Sequence, residues 1–404
     1  METRLFNKNY LLIVFGNAVS AIGDVLYSVS IGYWVYETTG STALMGLTSS
    51  ISFFVVMFIS PLAGSIIDKI DRKLVIVLMD VLRGLIMLGV SYLAFSQKLN
   101  VAMIIVTAFL CAMASVFFSP AISTALIDII PHDDMVRGQS IQGTVTSLIN
   151  LAGKAFSGAL IVIFGVPLII LINARSYLLS AFSEMFISLP KTPRQNQKID
   201  LKGLLRDLKE AAKSVYQNKY LRIFAFAAIV ANFFGSGSGA MLLPLMLEKG
   251  FGVDYYGYIT SIETLASLVI VMVLSVKKFK PKTRYYLMSM GFIGSSLVYI
   301  LGYVSSHFLL MAISFFLGAL LSGLGNALFN AALMLSLPQE NRGAIIGFVQ
   351  SASVGGQALS SVFYGIVCDI YPIVNVFVIS SIFMLIPLLM MCLNKNTYEF
   401  VLNH

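Results

Sequence analysis

The chain has 404 residues, of which 58% are hydrophobic and only 11% are charged, and its formal net charge is +8. Soluble globular proteins carry about 25% charged residues, so this composition excludes an ordinary soluble enzyme or a soluble nucleic-acid-binding domain. The apolar residues form long continuous runs instead of short alternating segments, which favours spanning helices over a barrel of strands. The sequence therefore predicts an all-α membrane protein.

Twelve apolar stretches are long enough to cross a bilayer, whose hydrocarbon core takes about 20 helical residues. One long hydrophilic segment, residues 190–220, separates six stretches from the other six and contains a basic amphipathic helix. We therefore predict two pseudo-symmetric halves of six transmembrane helices each, residues 1–189 and 221–404, joined by this linker. The predicted spans are residues 10–37, 43–67, 74–96, 100–130, 141–163, 166–188, 221–247, 256–276, 285–304, 307–336, 344–369 and 372–393.

Lysine and arginine are distributed very unevenly between the two sides of the predicted membrane. Of the 27 basic residues, 22 fall in the N-terminal segment or in loops of the same side, and only Lys98 and Lys249 fall in loops of the other side. The positive-inside rule then places both termini in the cytoplasm. We expect a multi-pass protein of the cell (plasma) membrane, monomeric and in contact with lipid. Nucleic acid is not an expected partner, because the positive charge follows from the topology.

The loop after the second span combines a glycine with several charges, since residues 64–73 read GSIIDKIDRK. Glycine permits close approach of two helices, and charges at helix ends can cap and pair. Equivalent loops in the two halves each repeat an Arg-Gly pair after a helix that ends in proline. Internal repeats of this kind are typical of secondary transporters, with a substrate site near the midplane. We predict a cytoplasmic gate made by Gly64, Asp68, Lys69, Arg72, Arg137 and Arg342.

The loop resembles the signature motif of the major facilitator superfamily, Gly-x-x-x-Asp-Arg/Lys-x-Gly-Arg-Arg/Lys, and departs from it at Asp71. Three further segments are similar to the macrolide-efflux-like branch: Gly23-Asp24, WVYETTGS at residues 34–41 and SPA at residues 119–121. The resemblance implies the twelve-helix major facilitator fold and alternating access by rocking of two halves. It also implies proton-driven export of drugs or other amphipathic small molecules. One departure is GKAFSG at residues 153–158, where antiporters of the family often have Gly-Pro-x-x-Gly-Gly.

Four charged residues inside the predicted spans are candidates for coupling, because a charge at a helix centre costs about 2.5–3.5 kcal/mol. Lys154 and Glu263 each lie about 20 Å from the inner surface at 1.5 Å per residue. In the fold that the resemblance implies, their helices face one another, so we predict that they pair. An alternative is that Asp24 neutralises Lys154 permanently; otherwise Asp24 is free to carry a proton. Arg175 is expected to reach the membrane surface or to brace the fifth helix, with a role in anionic-substrate binding as the lesser alternative.

Other charges in the spans are interpreted as structural. Asp80 and Arg83, near the inner end of the third span, have the spacing of an intrahelical ion pair, and Glu184 lies near the inner end of the sixth span.

Polar side chains in otherwise apolar helices predict the wall of the substrate cavity. They occur one or more turns apart on the first, fourth, seventh and tenth spans, and an interior with few charges favours hydrophobic or amphipathic substrates. The predicted lining residues are Asn17, Ser28, Ser115, Ser119, Asn232, Ser236, Asn326 and Asn330.

Catalytic, metal and cofactor sites are not expected. The sequence contains no Gly-x-x-x-x-Gly-Lys-Ser/Thr run for binding nucleotide phosphates. Its histidines do not show metal-ligand spacing. We therefore expect a transporter and not an enzyme. A lipid or lysolipid transporter and a non-transporting membrane sensor are the alternative functions, and the direction of transport stays open.

Overall fold

A computed structural model describes residues 5–67, 70–131, 134–189, 212–213, 215–217, 219–276, 279–336 and 342–393. The predicted linker, residues 190–220, lies mainly outside the described residues. No strand occurs among the residues that are described. The helices are α1 (Lys8–Thr39), α2 (Thr42–Ile67), α3 (Arg72–Phe95), α4 (Val101–Ile129), α5 (Met135–Glu184), α6 (Lys219–Ala240), α7 (Leu242–Glu248), α8 (Val253–Val276), α9 (Pro281–Val304), α10 (Phe308–Ser336), α11 (Arg342–Ile370) and α12 (Ile373–Leu393).

The helix α5 contains two of the predicted spans and is broken at Gly165. That residue has φ 70° and ψ 159°, a backbone conformation that side-chain-bearing residues rarely adopt, and Pro167 follows it. We call residues 135–164 the first arm of α5 and residues 166–184 its second arm. The second arm is about 28 Å long at 1.5 Å per residue, close to the thickness of a bilayer core.

Within the described residues, nine helices are long and apolar enough to cross a membrane, or up to ten if the pair α6 and α7, bent by 42°, forms one span. This count treats the 48 residues of Arg137–Glu184 as one helix, although they suffice for a crossing on each side of Gly165. The helix α11 is not among the nine. The predicted positions of the helices otherwise agree with the structure.

The chain divides into two compact units. The first contains residues 1–199 and 252–257, and the second contains residues 200–251 and 258–404. In the first unit α1 and α3 both pack on α5, and α4 packs on α2 and α3. In the second unit α9 packs on α10 and α12, while α6 packs on α11 and α12. Each unit thus surrounds its own interior with helices.

The approach of α1 to the second arm of α5 depends on two glycines spaced two turns apart. A Cβ atom at Gly16 would lie 2.9 Å from the hydroxyl oxygens of Ser180 and Ser183. One at Gly23 would overlap the side chains of Asn173 and Ser176. Small residues at these positions allow the two backbones to meet closely, as at other helix contacts in membranes. The result places the polar face of α1 against α5.

Replacing Gly23 with alanine tests this packing. Alanine favours a helix over glycine by about 1 kcal/mol, so the substitution would be stabilising if space were available. Because overpacking costs about 1–3 kcal/mol, we expect Gly23→Ala to lower the thermal stability of the purified protein in detergent. The matched control is Gly89→Ala in α3, where a Cβ would meet no atom within 4 Å. Equal melting temperatures for the two variants would contradict the close contact.

Candidate functional site

A group of charged and polar side chains is buried inside the first unit. We call Asp24, Asp80, Arg83, Tyr177 and Glu184 the N-terminal charge cluster. Asp80 and Glu184 are 0% exposed, Tyr177 is 3% exposed and Arg83 is 4% exposed. Because a buried charge is costly without partners, the contacts among these residues decide what the cluster can do.

Arg83 lies at the centre of the cluster and contacts three helices. It is the twelfth residue of the 24-residue helix α3, and its guanidinium forms an ion pair with Asp80 three residues earlier. Its Nη1 atom also donates to the hydroxyl of Ser115 on α4, at 3.4 Å. The intrahelical pair is therefore as predicted, but Arg83 is in the middle of its helix and not near the inner end.

Two aromatic rings enclose the guanidinium. Its central carbon lies 4.3 Å from the ring centroid of Phe118 on α4 and 4.5 Å from that of Tyr177 on α5. A cation over a ring face is attracted by the ring quadrupole, and this attraction grows when water is excluded. The rings thus hold the positive charge in an otherwise apolar interior.

Asp24 is connected to Arg83 through Tyr177. The Tyr177 hydroxyl donates a hydrogen bond to Asp24 Oδ1, and the ring of the same tyrosine faces Arg83. The electrostatic partners of Asp24 in this interior include Arg83 and Asp80. In the described part of the chain, Asp24 therefore interacts with Tyr177 and Asn173 of α5, and no ion pair with Lys154 is present there.

Glu184 and Asp80 form a second acidic group beside Arg83. The two carboxyl groups interact with one another, and Ser180 donates to Glu184 Oε1 at 3.3 Å. Glu184 Oε2 and Asp80 Oδ2 are both buried, and neither has a hydrogen-bond partner among the described residues. Two adjacent carboxyl groups with unpaired oxygens can share a proton, which would then supply the missing donor.

The predicted gate is partly inside the described residues. Arg72, the first residue of α3, forms an ion pair with Asp128 near the end of α4. Asp71 caps α3 by accepting hydrogen bonds from the backbone amides of Lys73 (2.9 Å) and Leu74 (3.4 Å). The aspartate that departs from the resembled motif thus has a structural role as an N-cap.

The remaining gate residues are placed as follows. Arg137 is exposed and lies 5.8 Å from the ring centroid of Phe6. Asp68 and Lys69 lie outside the described residues, as do the surroundings of Gly64 and the side chain of Arg342.

Glu263 on α8 lies in the second unit, beside a cavity of about 230 Å³. Tyr299 on α9 donates a hydrogen bond from its hydroxyl to Glu263 Oε1, at 3.1 Å. Lys154 belongs to the first unit, so its pairing with Glu263 stays a prediction. Arg175 is exposed on the second arm of α5, as the interpretation that it reaches the membrane surface requires.

The polar residues predicted to line a substrate cavity have different surroundings. Ser115 contacts Arg83, and Asn232 on α6 accepts from Gln357 on α11 at 3.0 Å. Ser28, Ser119 and Asn326 are exposed, whereas Asn17 and Ser236 are partly buried. The side chain of Asn330 lies outside the described part of the chain. A common cavity for these residues remains a prediction.

Sequence analysis missed the roles of Tyr177 and Glu184. A signal was present, because the guanidinium of Arg83 has five N–H donors and needs more partners than one neighbouring aspartate supplies. Tyr177 and Glu184 are seven residues apart and so lie on one face of the same helix. The sequence alone could not show that this face meets α1 and α3.

The family model of the Major Facilitator Superfamily matches residues 13–288 and 276–401. The chain belongs to the major facilitator superfamily. Its fold agrees with this assignment. A bacterial homologue of the human lysosomal transporter Spinster superposes with a TM-score of 0.76 at 12% identity, over 100% of this chain and 99% of the other. The nucleoside transporter NupG gives a TM-score of 0.71 at 14% identity, over 96% and 99%. The protein is thus an all-α, multi-pass membrane protein with the major facilitator fold.

Several relatives in sequence are transporters. An uncharacterised transporter of this superfamily from Bacillus subtilis, YkuC, is 24% identical over 77% of this chain and 74% of its own length. Macrolide efflux protein A of Streptococcus pyogenes is 22% identical over 63% of each chain. The multidrug efflux pump Tap of Mycobacterium bovis is 26% identical over 52% of each chain. The chain therefore spans less than two thirds of the two efflux proteins that it matches.

Replacing Arg83 tests whether it neutralises the buried acids. Removing one partner of a buried ion pair costs about 3–5 kcal/mol, because it leaves uncompensated charge in the interior. We expect Arg83→Gln to lower the free energy of unfolding by this amount and to reduce the yield of monodisperse protein. Asp80→Asn in the same chain should restore part of the loss.

The control for this experiment is Lys98→Gln, which removes an exposed lysine from the loop between α3 and α4 of the same unit. Exposed substitutions away from special contacts usually change stability by less than about 0.5 kcal/mol. Thermal unfolding in detergent measures all three variants. Equal stability of Arg83→Gln and Lys98→Gln would show that Arg83 does not hold the cluster.

Proposed function

We propose that the protein is a proton-coupled exporter of hydrophobic or amphipathic small molecules in the plasma membrane. It works by alternating access as an antiporter, with both termini in the cytoplasm. Membership of a transporter superfamily supports this proposal, as do the names of relatives that are efflux proteins. The observation that carries the proton coupling is the N-terminal charge cluster.

The cluster contains more acid than base. Asp24, Asp80 and Glu184 supply three carboxyl groups, and Arg83 supplies one positive charge. The other titratable groups that face the cluster are Tyr27 on α1, Cys111 on α4 and Tyr177 on α5, which are neutral. With all three acids ionised, two negative charges would lie uncompensated in the interior, at a cost of several kcal/mol each. The cluster therefore holds protons when it is sealed from water and exchanges them when water reaches it.

Two positions within the cluster suit this exchange. Asp80 and Glu184 have adjacent unpaired oxygens that one shared proton would connect. Asp24 interacts with Tyr177 and Asn173 of α5 and is on α1, a different helix from the other acids. Movement of α1 against α5 would separate Asp24 from Tyr177 and change the charge that the interior can hold. This is how a proton would be coupled to a change of conformation.

Proton flux in proteoliposomes tests the proposal. We expect that an amphipathic substrate, added with an imposed pH gradient, releases protons that a dye inside the vesicles reports. Asp24→Asn and Glu184→Gln should abolish this substrate-dependent flux, because neither amide can take up and release a proton. The control is Glu37→Gln, which removes an exposed glutamate from the end of α1.

Three outcomes of this experiment are informative. Flux that persists in both cluster variants would place the proton elsewhere. Flux of neither protons nor amphiphiles in the wild type would contradict export and favour a lipid transporter, to be tested with labelled lysolipid. An unchanged cellular phenotype in both cluster variants would favour a non-transporting sensor.

A further inference from the structure

The second unit contains a cavity whose chemistry the proton cluster does not explain. The cavity of about 230 Å³ is enclosed by α6, α7, α8, α9, α10 and α12 of that unit. Its volume is well above the roughly 30 Å³ that one water occupies in the liquid. It is below the 300–1,000 Å³ or so of drug-sized pockets, so it fits one functional group with a short apolar part.

The lining carries a single carboxyl group, that of Glu263, and many hydroxyl groups. Six serines and two tyrosines border the cavity, and no Lys, Arg or His side chain does so in the described part of the chain. The electrostatic character of the cavity is therefore set by one potential negative charge surrounded by hydroxyl dipoles. This composition favours a positively charged or hydrogen-donating ligand.

The hydrogen bonds of the hydroxyl groups strengthen that preference. Ser295 and Ser296 both donate to the carbonyl oxygen of Phe292 in their own helix, at 3.0 and 3.1 Å. Ser238 donates to Gly235 O at 3.0 Å, and Ser381 donates to Phe377 O at 2.9 Å. A hydroxyl whose proton is used in this way offers only lone pairs to a ligand. Most of the serines around the cavity thus act as acceptors.

Aromatic side chains form the apolar part of the wall. The rings of Tyr299 and Tyr303 stack with centroids 6.0 Å apart, and Phe315 packs edge-on against Tyr299 at 5.4 Å. Gly318 makes room for the Tyr299 ring, because a Cβ there would lie 3.1 Å from it. The Tyr299 hydroxyl meets Glu263, so ring and carboxyl group border the same space. An organic ammonium group is attracted by both.

We propose that this cavity binds the ammonium group of an organic monovalent cation. Glu263 supplies the counter-charge, the serine oxygens accept the N–H donors, and the aromatic rings contact the adjoining apolar part. The ligand is an amine with a short aromatic or aliphatic body, or the amine-bearing end of a larger molecule. As a statement about transport, this deepens the proposed function, because it names amine-bearing amphiphiles as the substrate class. As a statement about binding, it stands independently of proton coupling.

The test compares an amine with its neutral isostere. Purified protein in nanodiscs, at neutral pH and without any gradient, is titrated with phenylpropylammonium and with phenylpropanol by isothermal calorimetry. The two probes have the same shape and differ in the charged group. We expect the wild type to bind the amine about 10- to 100-fold more tightly than the alcohol, since hydrogen bonds to charged groups are the strong ones.

Three variants make this preference specific to the cavity. Glu263→Gln should bring the affinity ratio of amine to alcohol close to one, and Ser296→Ala should reduce the ratio by a smaller factor without removing a charge. Glu37→Gln, an exposed glutamate of the first unit, should leave it unchanged. If Glu263→Gln does not yield folded protein, the affinity ratio of amine to alcohol in Ser296→Ala tests the assignment.

Several results would overturn the assignment. They are an equal affinity for the two probes in the wild type, the absence of binding by either, or a ratio that Glu263→Gln and Ser296→Ala leave unchanged. Failure of the proposed function looks different. In that case the amine binds as described, but adding it to proteoliposomes with a pH gradient produces no proton flux.

Discussion

The packing of α3, α4 and α5 in the first unit depends on the need to neutralise and enclose the buried charge of Arg83. Arg83 is in the middle of an apolar helix and is buried, so its charge must be balanced within the bundle. Asp80 provides the nearest balance, and Ser115, Phe118 and Tyr177 surround the rest of the group. These partners come from three different helices. Their relative positions are therefore fixed by one side chain.

The glycines of α1 belong to the same constraint. Asp24 reaches Tyr177 only because Gly23, its neighbour in the chain, lets α1 approach the α5 backbone at Asn173 and Ser176. Gly16 lies two turns before Gly23 in α1. It packs on Ser180 and Ser183, which are beside Glu184 in α5. Small residues thus bring the acids of α1 and α5 to the arginine of α3. A larger residue at either position would push α1 away from α5 and lengthen the contact between Asp24 and Tyr177.

The degree to which the sequence predicted these features follows from how local each one is. Helix positions depend on long apolar runs, and the Asp80–Arg83 pair depends on spacing within one helix, so both were accessible. The predicted boundary between the fifth and sixth spans, residues 164–165, coincides with the break in α5 at Gly165. It could be predicted because glycine and proline interrupt helices locally. Asp71 was seen only as a departure from a motif, although an aspartate before a helix is a common cap.

Features that depend on which helix faces meet could not be predicted. Nothing in the spacing of Asp24 distinguishes Tyr177 from Lys154 as its partner, because both are more than 100 residues away in the chain. The position of Glu184 along its helix indicates its depth in the membrane and favours a structural role, but the sequence does not show that Glu184 lies beside Asp80. The cavity beside Glu263 could not be predicted for the same reason. Its serines are scattered over four helices, and the direction in which each hydroxyl donates is visible only in three dimensions.

The N-terminal charge cluster and the cavity beside Glu263 carry different charges, and the difference bears on the energetics of the proposed transport. In the first unit, three carboxyl groups and one guanidinium become neutral when two protons are bound. In the site that we propose in the second unit, one bound monovalent cation would offset the charge of Glu263. An exchange of one proton for one ammonium ion moves no net charge, so only the pH gradient would drive it. An exchange of two protons moves one net charge inward, and the membrane potential then adds about 2.3 kcal/mol per 100 mV. Charge neutrality of the N-terminal charge cluster favours the second stoichiometry, because a single bound proton would leave one uncompensated negative charge among buried side chains.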